Sequence, residues 1–247
     1  MLRKFRADLH IHTCLSPCGS LAMVPGVVAR EARKKGLDVV GICDHNATEN
    51  VRAVRKAAEK EEITVLGGIE ITSQEEVHVL ALFDDDEKLS ELQRMVYDNL
   101  PGRNDERAFG EQVMVNENDQ VVGVSDRLLI GATGLSLGQI VESIRSLSGL
   151  AIASHVDREG FSIIGQLGFI PEGLPLDALE VSPRMSVERA RATLPGASAF
   201  PVVTFSDAHQ PEEIGTRWTD FLVEDMRVEE MRKALLGREG RGTFVTE

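Results

Sequence analysis

The sequence is poor in cysteine and contains no long apolar run. Its 247 residues include only three cysteines, Cys14, Cys18 and Cys43, and such a sparse, odd-numbered set argues against a disulfide framework. No stretch reaches the roughly 18 consecutive apolar residues that a transmembrane helix needs. The first five residues lead into a strand pattern without the apolar core of a signal peptide. We therefore expect a cytoplasmic protein without a membrane partner.

Basic residues are also scarce. The chain has 27 Lys and Arg against 40 Asp and Glu, which gives a formal net charge of −13. A surface that binds nucleic-acid backbone non-specifically needs an excess of positive charge, so we expect no duplex nucleic acid among the partners. A small phosphorylated substrate is compatible with this charge, because bound divalent cations reverse its sign locally.

What the sequence does contain is the pattern of an α/β protein. The length lies near the roughly 250 residues of a typical eight-stranded β/α barrel. The first third predicts a strand starting at Phe5, further strands at 37–43, 63–72 and 77–83, and helices at 25–35 and 49–61. This alternation indicates a largely parallel sheet or barrel.

The remainder continues the pattern after an interruption. An acidic helical stretch covers 84–100, and residues 101–134 then have a weaker pattern that we interpret as an insertion or lid over the barrel. Later strands are predicted at 150–154, 176–181, 201–205, 218–223 and 242–245, with helices at 137–147, 187–193 and 228–236. The prediction is one domain spanning 1–247.

Histidines gather at the predicted strand ends. Asp8, His10 and His12 lie on one face of the first strand, because alternate residues of a strand point the same way. The other histidines lie within strands or at their carboxyl ends, where β/α barrels build active sites; they are His45, His78, His155 and His209. A single histidine on a strand is usually a hydrogen-bonded core residue. Six of them, accompanied by Asp44, Glu70 and Asp207, instead indicate a site for zinc, manganese or iron.

Taken in order, these motifs resemble those of the PHP (polymerase and histidinol phosphatase) superfamily of metal-dependent phosphoesterases. The matching segments are Asp8-Leu9-His10-Ile11-His12-Thr13, Asp44-His45-Asn46, Glu70, His78, His155 and Asp207-Ala208-His209. Within that superfamily the chain most resembles the stand-alone members of the nucleoside 3′,5′-bisphosphate phosphatase type. The resemblance implies a distorted (β/α)7 barrel with two or three divalent ions (Mn, Zn or Fe) at its C-terminal face.

The resemblance also implies the metal ligands. One ion would take His10, His12, Glu70 and Asp207; a second would share Glu70 and add His78 and His155; a third would use His45, His209 and a residue of the loop after the first strand. Relatives offer Asp or His in that loop, whereas this chain offers Cys14 and Cys18. Cys18 is either a thiolate ligand or a small buried apolar residue.

The implied chemistry is attack of a metal-activated water on a phosphate ester. Asp207 and His209 are the candidates for moving protons. Asp44 joins the catalytic set, either supporting His45 or exchanging roles with it. Asp8 either accepts the outer N–H of a ligand histidine or is a buried polar group in the barrel interior.

Substrate-binding candidates are arginines that follow strand ends. Arg158 and Arg184 could bind non-reacting phosphate oxygens; the alternative for Arg158 is a surface ion pair with Asp157 or Glu159. Glu180 either faces the barrel interior or is an ordinary charged residue at a strand end.

These features predict a phosphatase acting on a small phosphorylated metabolite or nucleotide. One alternative is an exonuclease or oligoribonuclease acting on 5′ ends with the same site. The other is a metal-binding regulatory module without turnover, which a closed site with no opening to solvent would favour.

Overall fold

A nine-stranded sheet organises the chain in the computed structural model, which describes residues 1–245. The strands are β1 (Arg3–Ile11), β2 (Val39–Ile42), β3 (Thr64–Thr72), β4 (His78–Phe83), β5 (Val113–Val115), β6 (Val121–Val124), β7 (Leu150–Ala153), β8 (Ala178–Val181), β9 (Val202–Thr204), β10 (Thr219–Val223) and β11 (Gly242–Val245). The helices are α1 (Pro25–Lys34), α2 (Val51–Ala58), α3 (Asp86–Asp98), α4 (Glu106–Phe109), α5 (Leu137–Ser146), α6 (Ile163–Leu167), α7 (Val187–Thr193) and α8 (Val228–Leu235).

The large sheet curls into a nearly closed barrel. Its order is β11-β10-β1-β2-β3-β4-β7-β8-β9, and the β5–β6 hairpin forms a separate small sheet. Just beyond β9, Ala208 donates to the carbonyl of His10 at 3.2 Å and accepts from the amide of His12 at 2.9 Å, which closes the sheet onto the end of β1. Seven strands thus surround one core, and the predicted distorted (β/α)7 barrel is confirmed.

Two buried clusters hold the layers together. One draws apolar side chains from all seven barrel strands and from α8. The other joins the opposite strand faces to α1, α2, α3, α5 and α7. None of the helices formed by the described residues is long and apolar enough to cross a membrane.

Strand β4 departs from the expected parallel arrangement. It pairs antiparallel with both β3 and β7, because only five residues separate Thr72 from His78. A parallel crossover needs a dozen or more residues, whereas five suffice for a hairpin. The reversal places His78, the first residue of β4, beside the carboxyl ends of the other strands. Helix α6 was not predicted; it begins after Ser162, whose hydroxyl accepts from the amide of Gly165 at 2.9 Å.

Residues 101–134 contain α4 and the β5–β6 hairpin, and they pack on the loops that follow β1 and β2. The amide of Val113 donates to the carbonyl of Cys14 at 3.0 Å, and the side chain of Asn46 donates to the carbonyl of Leu129 at 2.9 Å. The segment therefore lies at the end of the barrel that carries the histidines. Its action as a lid stays a prediction.

Candidate metal centre

The end of β1 presents two imidazoles to one space. The Nε2 atoms of His10 and His12 lie 3.2 Å apart, and both side chains are fully buried. On the outer side, His10 Nδ1 lies 3.0 Å from each oxygen of Glu180, and His12 Nδ1 lies 2.9 Å from Ser16 Oγ. Because the outer nitrogens donate these bonds, the Nε2 atoms are the ones directed at a shared ligand.

Glu70 is the centre of the cluster. Its Oε1 lies 3.4 Å from His10 Nε2, 3.1 Å from His78 Nδ1 and 3.3 Å from His155 Nε2. Its Oε2 lies 3.4 Å from His12 Nε2 and 3.2 Å from His45 Nδ1. Five imidazoles therefore converge on one carboxylate of β3; they come from the end of β1 and the residue after it, from the start of β4 and from the segments after β2 and β7.

Asp207 faces the same space from the segment after β9. Its Oδ1 lies 3.2 Å from His10 Nε2 and 3.1 Å from His12 Nε2, while its Oδ2 lies 2.6 Å from the guanidinium of Arg158. Burial opposes ionisation, but the neighbouring His10 and His12 hold the pKa of Asp207 well below its ordinary value. These contacts therefore favour the ionised form of Asp207 at the edge of the cluster.

A third group surrounds the predicted cysteine position. Ligand atoms of His12, Cys18, His45 and His209 all lie within 4.8 Å of one another. His209 Nδ1 lies 2.8 Å from the carbonyl of Asp207, to which it donates, so its Nε2 is the available nitrogen. Cys14 belongs elsewhere, because it is buried with its thiol 3.6 Å from the carbonyl of Val113. Of the two loop cysteines, the structure brings only Cys18 to the cluster.

The residues present fit a group of divalent cations. Ligand atoms bound tetrahedrally at 2.0–2.2 Å lie about 3.4 Å apart, and the contacts around Glu70 span 3.1–3.4 Å. Several buried atoms of the cluster have no hydrogen-bond partner, namely His45 Nδ1, Glu70 Oε1, His78 Nδ1 and His155 Nδ1. Unpartnered polar atoms are costly to bury, and cations coordinated by Glu70 Oε1 and the rings around it would remove much of that cost. Histidine and carboxylate donors, with one thiol nearby, match zinc, manganese or iron.

Protonation in the metal-free centre is uneven. Burial, reinforced by His209, lowers the pKa of His12 to about 4, and burial also lowers the pKa of His45 well below its ordinary value. His10 behaves in the opposite way: burial lowers its pKa, but Glu180, Asp207 and Glu70 together raise it well above the ordinary value. Of these three imidazoles, His10 is therefore the one whose surroundings favour the protonated form in the absence of cations.

Two acidic residues lie one layer behind the cluster. The expected hydrogen bond between Asp8 and a ligand histidine is not formed. Asp8 instead accepts from the amides of Ser206 at 3.0 Å and Gly215 at 2.8 Å. Glu180 is the residue that accepts from the outer nitrogen of His10. Asp44 accepts from Thr13 and from Ser16, whose Oγ is 2.7 Å away. Both oxygens of Asp44 thus accept from the loop after β1 and the residue has no exposed surface, while its catalytic role stays a prediction.

An open pocket of about 930 Å³ adjoins the cluster at Asp207 and His209, and both predicted substrate-binding arginines line it. Arg158 pairs with Asp207, not with its neighbours in sequence; Asp157 instead accepts from the amide and hydroxyl of Ser182 at 2.7 and 2.6 Å. Arg184 lies at the rim, where Arg189 adds a third guanidinium that the sequence pattern did not single out.

Fold and site together define a class of protein, the β/α barrels with a histidine–carboxylate metal centre at one end. A comparison with protein families identifies the family within this class. The PHP domain matches residues 8–158, so the chain belongs to the PHP family of metal-dependent phosphoesterases. No curated protein matches the chain significantly.

Solved structures show the same fold. Endonuclease Q from Pyrococcus furiosus, a lesion-specific endonuclease, matches with a TM-score of 0.69 and 20% identity over 98% of this chain and 58% of its own. Endonuclease Q in complex with a 27-mer duplex matches with a TM-score of 0.68 and 22% identity; the match covers 97% of this chain and 58% of the endonuclease. A protein from Bifidobacterium adolescentis, assigned as a metal-dependent phosphoesterase, matches with a TM-score of 0.56 and 21% identity; the match covers 83% of this chain and 88% of that protein. This chain thus spans less than two thirds of endonuclease Q.

The expectation that excluded duplex nucleic acid is wrong. Endonuclease Q, which contains this fold, binds a duplex with an abasic lesion at its active site. The exclusion rested on the net charge of −13, and a total charge does not describe the potential at one pocket, where bound cations would change the local sign.

Proposed function

We propose that the chain hydrolyses phosphate esters with a group of divalent cations held around Glu70. The observation that carries this proposal is the convergence of five imidazoles on the Glu70 carboxylate, with buried nitrogen and oxygen atoms left without hydrogen-bond partners. We assign the ligands in three sets, of which the first two share Glu70: His10, His12, Glu70 and Asp207; Glu70, His78 and His155; and His45, His209 and Cys18.

The chain's own residues orient this site. Bound cations would supply charge to the phosphoryl group and lower the pKa of an attacking water. Glu180 and Ser16 fix the rings of His10 and His12 through their outer nitrogens. Arg158, placed between Asp207 and the pocket, is suited to take a non-reacting phosphate oxygen.

Proton transfer to the leaving oxygen falls to His209 rather than Asp207. The low pKa of Asp207 keeps it ionised, whereas His209 is about one quarter exposed at the pocket and has a free Nε2. A third cation would compete with the proton for that nitrogen, so occupancy of the Cys18 position determines whether His209 binds a cation or transfers a proton.

The substrate we favour is a monoester of a small metabolite or nucleotide, as in the bisphosphate phosphatase type that the motifs resemble. The open pocket with its arginines supports a substrate-binding role and argues against a module without turnover. Cleavage of nucleic acid is the second candidate, because the barrel is shared with endonuclease Q.

The test is hydrolysis by chelated and reconstituted protein. We expect activity to disappear when metal is stripped and to return with manganese or zinc. The substrates are a nucleoside 3′,5′-bisphosphate, histidinol phosphate, a 5′-phosphorylated single strand, and a duplex with an abasic site. Preference for one of the two small esters supports the monoesterase. Preference for the single strand or for the duplex supports the nuclease. Full hydrolysis in chelator, with no metal in the protein, would contradict both.

A further inference from the structure

Phe161 is an exposed phenylalanine directly beside the metal centre. Its ring is stacked on the imidazole of His78, with centroids 4.8 Å apart and planes inclined by 24°. Its carbonyl also accepts from the amide of His78 at 2.9 Å. The residue is nevertheless 43% exposed, so it remains accessible to solvent while its ring is stacked on His78.

The backbone at Phe161 is strained. Its φ is +57°, in the left-handed region that bulky side chains rarely adopt. Among the described non-glycine residues with positive φ, Phe161 has the largest side chain. Hydrogen bonds fix the turn on both sides of Phe161. The backbone amide of Arg158 donates to the carbonyl of His155 at 2.9 Å, and Ser162 Oγ donates to the carbonyl of Arg158 at 2.6 Å. Strain of this kind persists where the surroundings impose it, and it concentrates at functional sites.

The same turn borders the centre at two points. Arg158 reaches Asp207 at the pocket, and three residues later Phe161 reaches His78. A phosphate ester bound at the cluster would therefore have a guanidinium near one side and a flat apolar ring near another. Since any planar ring can stack on a phenyl face, the chemistry of Phe161 suits a substrate that carries such a ring close to its phosphate.

We propose that Phe161 is a specificity-determining residue that provides a stacking surface for a nucleobase attached to the reacting phosphate ester. The proposal rests on the proposed function and makes it more specific, because it predicts that the base contributes to substrate choice. The competing explanation is that the ring only supports His78.

A matched pair of substrates separates the two explanations. Adenosine 5′-monophosphate and ribose 5-phosphate share the sugar and the phosphate and differ by the base. With manganese-loaded protein, Phe161→Ala should lower kcat/KM for the nucleotide by roughly five- to 150-fold, as expected for loss of one base–aromatic stack, and leave ribose 5-phosphate unchanged. Phe161→Trp should keep the preference for the nucleotide. Equal loss with both substrates, or loss with neither, would overturn the proposal.

Two further arms complete the kinetic experiment. Phe169→Ala removes another exposed phenylalanine, 58% accessible, and should behave as wild type. In a parallel series, a 5′-phosphorylated single-stranded oligonucleotide replaces the mononucleotide. If Phe161→Ala lowers kcat/KM for the oligonucleotide alone, the stacked base belongs to a nucleic-acid strand.

A binding measurement tests the surface without turnover. The chain has one tryptophan, so the double variant Phe161→Trp/Trp218→Phe carries its only indole at position 161, and Trp218→Phe alone is the dark control. Adenosine 5′-monophosphate should quench this indole and ribose 5-phosphate should not. Absence of quenching at saturating nucleotide would overturn the proposal even if the enzyme is active. Quenching in a protein that hydrolyses neither ester would support the stacking surface and reject the proposed function.

Discussion

At the scale of single residues, the proton on His10 links pH to cation binding. The carboxylates of Glu180, Asp207 and Glu70 outweigh the effect of burial and raise the pKa of this imidazole well above its ordinary value. A cation can bind Nε2 only after that proton leaves. As the pH rises toward the raised pKa the proton is lost more readily, so cation affinity should increase with pH.

Glu180→Gln tests this linkage. The first cation should displace about one proton from wild-type protein near pH 7, measured by calorimetry in buffers of different ionisation enthalpy. The introduced amide oxygen would still accept from His10 Nδ1 but would no longer stabilise the imidazolium, so proton release should decrease. Cation affinity should fall by roughly 10- to 100-fold, as for other lost partners of metal ligands.

Glu159→Gln is the matched control, because it removes the same charge from an exposed pocket residue and should leave both quantities unchanged. Identical proton release in wild type and in Glu180→Gln would show that His10 is not the protonated group.

The sequence motifs anticipated which residues meet but not what supports them. The sequence predicted three of these residues as neighbours. The i, i+2 spacing places His10 and His12 on one face of a strand, and Asp207 follows another strand end on the same rim of the barrel. The partnership of Glu180 with His10 crosses 170 positions, and only tertiary structure brings them together. Ser16 and Phe161 were missed for a similar reason, since a serine or phenylalanine in a loop has no distinctive spacing.

At the scale of elements, Asn50 joins the inserted segment to the barrel. It is fully buried; its Nδ2 donates to the carbonyl of Val113 at 3.1 Å and to Thr13 Oγ1 at 2.9 Å, and its Oδ1 accepts from the amide of Val115 at 2.9 Å. One side chain thus connects the start of α2, the loop after β1 and strand β5.

Asn50→Ala should destabilise this junction. Each buried group left without a partner costs about 1–3 kcal/mol, so we expect a lower unfolding midpoint and faster proteolysis within 101–134. Asn118→Ala, an exposed substitution in the same segment, is the control. Equal stability and equal proteolysis of the two variants would show that Asn50 does not hold the segment in place.

Most elements could be predicted from hydrophobic periodicity, and the failures have definite causes. Helix α7 and strand β11 have the predicted bounds, and most other ends differ by a few residues. The direction of β4 was missed although the short connection before His78 contained the signal. Within 101–134, strands of three and four residues are too short to show a periodic pattern.

At the scale of the whole molecule, net charge proved a poor guide to partners. The chain carries −13 overall, yet the pocket beside the cluster is lined by three arginines and four carboxylates, so its own charge is nearly balanced. Substrate attraction depends on this local arrangement and on bound cations, not on the sum over the surface. The excess of acid is therefore compatible with either candidate substrate, a small ester or a nucleic-acid strand.

The central claim is that a group of cations assembles around Glu70, and counting bound ions tests it most directly. Metal-stripped protein titrated with zinc, then analysed by native mass spectrometry, should hold two or three ions per chain. Glu70→Gln should hold fewer than wild type, because both oxygens of Glu70 face the proposed ligands. If Cys18 completes a third position, Cys18→Ser should lose one ion and Cys14→Ser none. An unchanged ion count in Glu70→Gln, or no tightly bound ion in wild type, would contradict the account.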